Sequence, residues 1–418
     1  MKLSSFGRKF TSESGILQLM DDLGNALASG EDMIMMGGGN PGHVPEIEDV
    51  LKKRMEKIVS DHEQFRRLTG IYDPPQGEKE FVKELAKMLN KEFGWELSEK
   101  NIALTNGSQS SFFLLFNMFA GKMDDGTQKK VLLPLAPEYI GYSDAGLSED
   151  FFVSYKPRID FSDNRFFKYR VDFDSLEVDD EIGAICVSRP TNPTGNVVTD
   201  KEVEKLSQLA LKKDIPFILD NAYGTPFPDI IFTQAKPVFN KNMILCMSLS
   251  KFGLPAARTG IVIAEENIIK ALSGINAIIN LAPGSFGAMM ALDMIKNNEI
   301  TKLSSQIIKP YYKNKADIAV KLFQRELEGT DYYIHKPEGA IFLWLWFKDL
   351  KITTYELYQR LKKRGVIVVP GKYFFPGIND NNWKHMDECI RVTYSQEPEK
   401  VEKGIKIIAE EVKKGYEG

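Results

Sequence analysis

The sequence predicts an α/β protein with two structural units: a larger one built on a largely parallel sheet, and a smaller α+β unit. From about residue 101, short apolar runs alternate with helical stretches, a pattern typical of parallel sheets covered by helices. After about residue 300 a long polar helix is followed by isolated short strands. The chain of 418 residues is long enough for more than one core. We therefore predict an N-terminal arm with part of the small domain at 1–45, a large domain at 46–300 and a C-terminal small domain at 301–418.

The first hundred residues are predicted to contain helices separated by turn-rich loops. Apolar residues at helical spacing predict a short helix from Ile16 to Leu27, followed by helices near 46–60 and 78–92. A glycine-rich loop at 37–42 precedes the second helix, and its backbone N–H groups can approach a ligand closely. A second loop, around Tyr72, separates the last two helices.

Short apolar runs bounded by turn residues predict the strands. In the large domain they are Ile102–Leu104, Val131–Leu135, Ala184–Ser188, Pro216–Leu219, Met243–Met247 and Gly260–Ala264. In the C-terminal part we predict strands at Ala340–Phe347, Val366–Val369 and Cys389–Tyr394, a helix at 354–364 and a last helix from Pro398. A capping box, Thr199 with Glu202, predicts a helix start after the third strand.

Composition and charge restrict the class of function. A net charge of -4 with no basic domain argues against nucleic acid as a partner. The three cysteines are far apart, and two lie in apolar runs, which is typical of buried thiols in a reducing compartment. The four histidines have no metal-ligand spacing, the N-terminus lacks a signal-peptide core, and no run approaches the length of a membrane span. We expect a cytoplasmic protein that holds no metal.

A lysine flanked by phosphate-binding groups follows the strand Met243–Met247. Ser248, Ser250 and Arg258 supply two hydroxyl donors and a guanidinium, which are the groups that a phosphate dianion needs. A lysine beside such a site, outside a glycine-rich P-loop, suggests that Lys251 holds an aldehyde cofactor as a Schiff base. The alternative is a solvated surface lysine.

Polar residues at other strand ends can complete this site. Gly107, Ser108 and Gln109 lie between a strand and a helix, so they either form an anion site at the helix N-terminus or only cap the helix. Asp220 ends an apolar strand and needs a cationic partner, for which a protonated pyridine nitrogen is suitable. Tyr223 is close enough to reach a ring oxygen. A structural Asp that caps the next turn is the alternative.

Three further residues can contact a planar cofactor or its substrate. Asn192 presents an amide after the third strand, in a loop fixed by prolines and a glycine. Tyr139 can lie flat against a ring or belong to the core. Arg391 interrupts an apolar strand, which is costly unless its guanidinium meets an anion. That anion is either a substrate carboxylate or an internal Asp or Glu.

Together these motifs resemble the pyridoxal-phosphate-dependent aminotransferases of fold type I, class I/II. The resemblance spans nearly the whole chain in family order. It is carried by Gly39-Asn40-Pro41, Tyr72, Gly107-Ser108-Gln109, Tyr139, Asn192-Pro193-Thr194-Gly195, Asp220 with Tyr223, Ser248 and Ser250 with Lys251, Arg258, and Arg391. It implies a large domain with a mostly parallel seven-stranded sheet, a smaller α+β domain and pyridoxal 5'-phosphate as cofactor.

The resemblance also implies a role for each residue. Lys251, Asp220 and Tyr223 are implied as catalytic: Lys251 binds the cofactor aldehyde and shuttles a proton, while Asp220 pairs with the ring nitrogen. Asn192 and Tyr223 hold the ring oxygen, and Tyr139 stacks on the ring. The phosphate is implied to contact Gly107, Ser108, Gln109, Ser248, Ser250 and Arg258. The substrate is implied to contact Arg391, Asn192, Gly39 and Asn40, with Arg391 binding its α-carboxylate. Tyr72 is implied to reach the phosphate of a neighbouring subunit, hence a homodimer with composite active sites.

Within this family, four runs are similar to valine–pyruvate transaminases: 37–41, 104–110, 134–142 and 336–346. The implied reaction is a ping-pong transfer from valine to pyruvate, giving 2-oxoisovalerate and alanine. Transamination of other neutral amino acids, or a C–S β-lyase reaction, would keep almost every residue named. We find no second matched arginine of the kind that dicarboxylate-specific relatives use. An effector sensor fused to a DNA-binding head is disfavoured, because the first 35 residues are too short and not basic.

Overall fold

The structure is a computed structural model that describes residues 2–11, 33–163, 165–380 and 382–418. The helix predicted from Ile16 to Leu27 lies outside these residues. The α-helices are α1 (Ser5–Phe10), α2 (Pro45–Ser60), α3 (His62–Gly70), α4 (Lys79–Phe93), α5 (Ser108–Phe119), α6 (Asp200–Lys212), α7 (Glu266–Asn280), α8 (Phe286–Lys296), α9 (Glu299–Leu303), α10 (Lys309–Glu326), α11 (Thr354–Lys363) and α12 (Pro398–Glu417).

The strands belong to three sheets. In chain order they are β1 (Ile34–Met35), β2 (Ile102–Thr105), β3 (Gly121–Lys122), β4 (Gln128–Leu133), β5 (Phe152–Ser154), β6 (Arg158–Ser162), β7 (Phe166–Arg170), β8 (Ile182–Ser188), β9 (Phe217–Asp220), β10 (Met243–Ser248), β11 (Gly260–Ile263), β12 (Tyr332–His335), β13 (Phe342–Phe347), β14 (Val366–Ile367), β15 (Val369–Pro370) and β16 (Cys389–Thr393). All the strands predicted from the sequence are present, with shifts of up to three residues at their ends. The run predicted as one strand at Val366–Val369 forms two short strands, β14 and β15.

The largest sheet confirms the predicted α/β architecture. Its order is β2-β11-β10-β9-β8-β4-β3, and β5 pairs with β4. Neighbours from β10 to β5 are parallel, whereas β11 runs antiparallel to both β2 and β10. The two-residue strand β3 forms a short antiparallel hairpin with β4 and is the eighth member beside the seven expected.

Both faces of this sheet are covered by helices, because successive side chains of a strand point to opposite faces. In β4, Leu132 packs into one hydrophobic cluster and Val131 and Leu133 into the other. The same alternation divides β8, β9 and β10. Helices α4, α6 and α8 contribute to the first cluster, and α5 and α7 to the second.

Helix boundaries follow from local sequence. The capping box predicted at Thr199 and Glu202 is formed at the start of α6. Asp61 accepts hydrogen bonds from the first turn of α3. Helix α4 ends at Gly94, whose φ of 69° is the left-handed conformation that glycine adopts without strain.

A second, six-stranded sheet has the order β15-β16-β13-β12-β7-β6. The hairpin β6–β7 comes from the middle of the chain and pairs with β12 in parallel, which was not predicted. The N-terminal segment also joins this side of the molecule, because β1 pairs with β14. No helix in the described ranges has both the length and the apolar character needed to cross a bilayer.

Candidate active site

Strand pairing in the large sheet brings the ends of five strands together. In register, Ser188 of β8 lies beside Asp220 of β9, which lies beside Cys246 of β10. On the other side, Gly260 of β11 lies between Ser248 of β10 and Thr105 of β2. The loops that follow β2, β8, β9 and β10 therefore meet at one edge of the sheet, as expected for the carboxyl ends of parallel strands.

A cavity of about 1130 Å³ opens at this edge. Of the residues predicted for the site, it is lined by Gly39, Asn40, Ser108, Gln109, Tyr139, Asn192, Asp220, Tyr223, Ser248, Ser250, Lys251, Arg258 and Arg391. Gly107 is not part of the lining, but it lies directly behind Arg258. Tyr72 is the one predicted site residue that stands apart, with 82% of its surface exposed.

Lys251 lies in the first turn after β10, with its ammonium group inside the cavity. Its Nζ donates a hydrogen bond of 2.5 Å to the carbonyl oxygen of Gly39 and lies 5.5 Å from the ring centroid of Tyr223. Burial, followed by the positive charges of the two cavity arginines, lowers the pKa of Lys251 to about 8. At pH 7 about a tenth of the amine is thus neutral and nucleophilic, far more than at the ordinary pKa of a lysine.

Asp220 is a buried carboxylate at the end of β9. It accepts hydrogen bonds from the hydroxyl of Tyr142 at 2.7 Å and from the backbone N–H of Ala222 at 3.0 Å. Burial raises the pKa of Asp220 to about 6, against the opposing effect of these hydrogen bonds. Asp220 is therefore ionised at neutral pH, and an anion in such surroundings favours a nearby cation.

The residues predicted for a phosphate surround the N-terminus of α5. Gly107 has a φ of 88°, and a Cβ at this position would lie 2.3 Å from Nη2 of Arg258. Only glycine lets this guanidinium pack against the backbone at the helix start. The hydroxyl of Ser248 donates to that of Ser250 at 3.0 Å. Backbone amides, hydroxyls and one guanidinium thus lie close together, an arrangement that suits an anion.

Arg391 is fully enclosed on β16, across the cavity from the large sheet. Its two terminal nitrogens donate to Oδ1 of Asn192 at 2.7 Å and to the carbonyl oxygen of Gly37 at 2.6 Å. The guanidinium lies 4.2 Å from the ring centroid of Phe342. Burial lowers the pKa of Arg391 to about 10, which still leaves it charged at neutral pH. No carboxylate of the described residues pairs with it, so the salt-bridge alternative is not realised.

Tyr139 and Tyr223 are aromatic residues of the cavity lining, and each packs against a further ring behind it. Tyr139 packs edge-on against Tyr142 with ring centroids 5.4 Å apart, and Tyr223 lies 6.2 Å from Phe342. Burial raises the pKa of both Tyr139 and Tyr223, so both phenols are protonated at neutral pH and available as donors.

Sequence reasoning assigned no role to Tyr142 or to Phe342. Tyr142 hydrogen-bonds Asp220, and Phe342 supports the guanidinium of Arg391. A signal for Tyr142 was present, because it lies three residues after Tyr139 in the same turn. Phe342 gave none, because its contact with Arg391 depends on pairing between β13 and β16.

The residues present fit a phosphorylated pyridine aldehyde. Nε of Arg391, a residue of the cavity lining, is buried and has no hydrogen-bond partner among the described residues, which leaves a donor for an anion. The lysine can receive the aldehyde, the buried Asp220 can balance a ring cation, and the cradle formed by Gly107 and Arg258 suits a phosphate.

Comparisons with known proteins agree with this geometry. The model of the family "Aminotransferase class I and II" matches residues 31–408. The chain is 53% identical over 416 residues to the valine–pyruvate aminotransferase of Escherichia coli (strain K12), covering 100% of this chain and 99% of that protein.

Solved structures give the same result. A putative amino-acid aminotransferase from Psychrobacter arcticum 273-4 superposes with a TM-score of 0.97 at 46% identity, covering 100% of both chains. A valine–pyruvate aminotransferase from Salmonella typhimurium LT2 superposes with a TM-score of 0.89 at 50% identity, covering 96% of this chain and 99% of that one. This chain belongs to the class I and II aminotransferase family.

Proposed function

We propose that this aminotransferase transfers the amino group of valine to pyruvate in a ping-pong reaction that yields 2-oxoisovalerate and alanine, with pyridoxal 5'-phosphate as cofactor. The carrying observation is that a half-buried lysine, a buried carboxylate and a buried arginine line one cavity beside an anion site. The 53% identity to the Escherichia coli enzyme over the whole chain supports the choice of substrates.

Each residue has a distinct task in this proposal. The anion site around Gly107, Ser248, Ser250 and Arg258, with Ser108 and Gln109, holds the phosphate. Asp220 holds the ring nitrogen in its protonated form, Asn192 and Tyr223 contact the ring oxygen, and Tyr139 covers the ring. When bound, the cofactor supplies an electron sink for the electron pair released at the substrate Cα.

Lys251 binds the cofactor and, once free, moves the proton at the substrate Cα. Its lowered pKa suits this work, because a base is most effective when its pKa is near the working pH. Arg391 binds the α-carboxylate as a planar fork and so fixes the orientation of the Cα–H bond. Asn192 and the backbone at Gly39 and Asn40 complete this contact.

The cavity wall supports a neutral aliphatic side chain as substrate. Val44, just before α2, and Ile47 and Leu51, within α2, line the cavity. Ile47 and Leu51 approach Gly253, two residues after Lys251, to within 3.4 Å of the position that a Cβ would occupy there. Arg258 and Arg391 are the arginines of the described lining, and both already have an assigned anion. A second carboxylate has no arginine partner here.

A homodimer with composite active sites is part of the proposal. Tyr72 is 82% exposed, and the apolar side chains of Ile71, Ile278 and Leu281 are at least half exposed. The hydroxyl of Ser285 donates to Asp73 at 2.5 Å, which joins the loop of Tyr72 to the segment after α7. An apolar surface of this kind is typical of a subunit interface, and from it Tyr72 would reach a neighbouring phosphate.

We likewise propose that the chain is divided into an N-terminal arm with part of the small domain (1–45), a large domain (46–300) and a C-terminal small domain (301–418). The hairpin β6–β7 belongs to the second range by sequence but pairs with β12 of the third. We also propose a cytoplasmic location. The three cysteines are free and buried, which fits a reducing compartment.

The test is a pair of half-reactions with purified protein. We expect valine alone to release one 2-oxoisovalerate per subunit, and added pyruvate then to yield alanine. Aspartate is the matched control and should give no product. Release of ammonia and pyruvate from a β-substituted amino acid, without transfer, would instead assign a lyase. Lys251→Ala should abolish both half-reactions while sedimentation shows the same assembly as the wild type.

A further inference from the structure

Glu138 is a fully buried carboxylic acid that the proposed reaction does not use. It lies in the loop after β4, immediately before Tyr139, and its backbone N–H donates to the carbonyl oxygen of Phe374 at 2.8 Å. Within the described part of the chain it forms no salt bridge. An isolated buried carboxylate is costly, so such a group is either paired or protonated.

A chain of hydrogen bonds connects Glu138 to Asp220. The backbone N–H of Ser188 donates to Oε1 of Glu138 at 2.8 Å, and the Ser188 hydroxyl lies 2.5 Å from Oε2. The same hydroxyl lies 3.3 Å from the hydroxyl of Tyr142, which donates to Oδ2 of Asp220 at 2.7 Å. Two hydroxyls thus separate the two carboxyl groups.

The direction of the hydrogen bonds between Glu138 and Asp220 differs between the ionised and the protonated state of Glu138. If Glu138 is ionised, the single proton of Ser188 points toward it and away from Tyr142. If Glu138 is protonated, it donates to Ser188, Ser188 donates to Tyr142, and Tyr142 donates to Asp220. Each O–H then points toward Asp220, and each hydroxyl is both donor and acceptor.

The surrounding charges favour the protonated state of Glu138. The titratable groups that face it are Asp220 of β9, Cys186 of β8, and Tyr142 and Tyr139 of its own loop, none of which is a cation. Burial, with a smaller contribution from Asp220, raises the pKa of Glu138 to about 8, whereas that of Asp220 is about 6. At neutral pH the pair therefore holds one proton, and it resides on Glu138.

We propose that Glu138 is a positioning residue: a neutral acid that, through Ser188 and Tyr142, directs a chain of donors at Asp220 and keeps it ionised beneath the cofactor ring. This inference rests on the proposed function, because the task of Asp220 is to hold the ring nitrogen protonated. Glu138 touches neither cofactor nor substrate in this scheme.

Infrared spectroscopy tests the protonation of Glu138 directly. At pH 7 we expect the difference spectrum of wild type minus Glu138→Gln to contain the C=O stretch of a carboxylic acid. Glu388→Gln is the matched control, because Glu388 is also buried but accepts from Trp346 away from the cavity. The difference spectrum of wild type minus Glu388→Gln should lack that acid band, because this variant keeps Glu138. A carboxylate band in place of the acid band would overturn the proposal. The measurement needs no substrate, so it separates this proposal from failure of the proposed function.

Kinetics of the holoenzyme test the coupling to Asp220. Glutamine can donate to Ser188 as the neutral acid does, so Glu138→Gln should stay within about threefold of the wild-type kcat. Glu138→Ala removes the donor and should lower kcat by a factor on the order of 10 to 100, with little change in KM. It should also move the acidic limb of the kcat profile to higher pH. Tyr142→Phe removes only the hydroxyl oxygen, and it should likewise lower kcat and move the acidic limb to higher pH. This variant provides the test if Glu138→Ala does not fold. Equal impairment of the Gln and Ala variants, or an acidic limb that moves in neither Glu138→Ala nor Tyr142→Phe, would refute the coupling.

Discussion

Arg391→Lys is the substitution that tests the proposed carboxylate site most directly. The guanidinium is fixed by hydrogen bonds of 2.7 Å to Asn192 and 2.6 Å to Gly37, which leave Nε and the remaining N–H groups for a ligand. A lysine keeps the positive charge but has one nitrogen, so it cannot both satisfy these partners and grip a carboxylate with two parallel bonds.

The expected loss follows from the contacts removed. One charge-assisted hydrogen bond contributes about 1.5 to 3 kcal/mol. The guanidinium's position over the ring of Phe342 contributes about 0.5 to 1 kcal/mol more. The sum of about 2 to 4 kcal/mol corresponds to a decrease of roughly 30- to 900-fold in kcat/KM.

Steady-state kinetics with valine and pyruvate measure this loss, and the visible absorbance of the bound cofactor measures its occupancy. Occupancy should not change, because Arg391 is assigned to the substrate. The matched control is Arg54→Lys, since Arg54 is also buried and binds Asp293 at 2.9 Å outside the cavity. It should affect stability but not kcat/KM. A loss of less than about fivefold in Arg391→Lys, below the weakest expected bond, would refute the reasoning.

Three further substitutions test other parts of the site. Asp220→Asn removes the charge that balances the ring nitrogen, worth about 4 kcal/mol at close range, so kcat should fall roughly 10³-fold; a fall below tenfold would contradict this role. Lys251→Met should raise the Tm of the apoprotein at pH 7, because it removes a buried ammonium group. Since the pKa of Lys251 is lowered from 10.5 to about 8, the unfolded chain binds more protons between those values, and wild-type stability rises with pH there. The difference in Tm should therefore shrink from pH 8 to 10.5, and a constant difference would count against burial as the cause. Tyr72→Phe should raise the Kd for the cofactor about tenfold in equilibrium dialysis, through one lost hydrogen bond to a charged group; an unchanged Kd would remove Tyr72 from the neighbouring site.

Local patterns predicted the large sheet and its polar strand ends well, and long-range pairing explains what they missed. Strands β8, β9 and β10 are buried on both faces, so they are continuous apolar runs ended by Ser188, Asp220 and Ser248. Helix α3 has no buried residue and so lacks the apolar spacing that prediction needs.

The hairpin β6–β7 was missed for a different reason. Its partner β12 lies more than 160 residues further along the chain, and no local signal in Arg158–Ser162 or Phe166–Arg170 specifies that pairing. The contact between Tyr142 and Asp220 likewise joins a loop to the end of β9, 78 residues further along the chain. Sequence reasoning found the charged groups and the polar residues at strand ends, whereas the contacts of Tyr142 with Asp220 and of Phe342 with Arg391 required the three-dimensional structure.

The position of Arg391 within an interior strand has a consequence for how substrate range can change. β16 is paired on both sides, with β13 and β15, so its backbone is fixed by two sets of ladder bonds. Val44 and the residues just before α12, by contrast, belong to connecting segments that line the cavity. Laboratory evolution should therefore broaden acceptance of different amino-acid side chains through exchanges in these segments. The requirement for a carboxyl group beside the amine should persist, and amines without one should remain poor substrates until the six-stranded sheet that carries Arg391 is itself rebuilt.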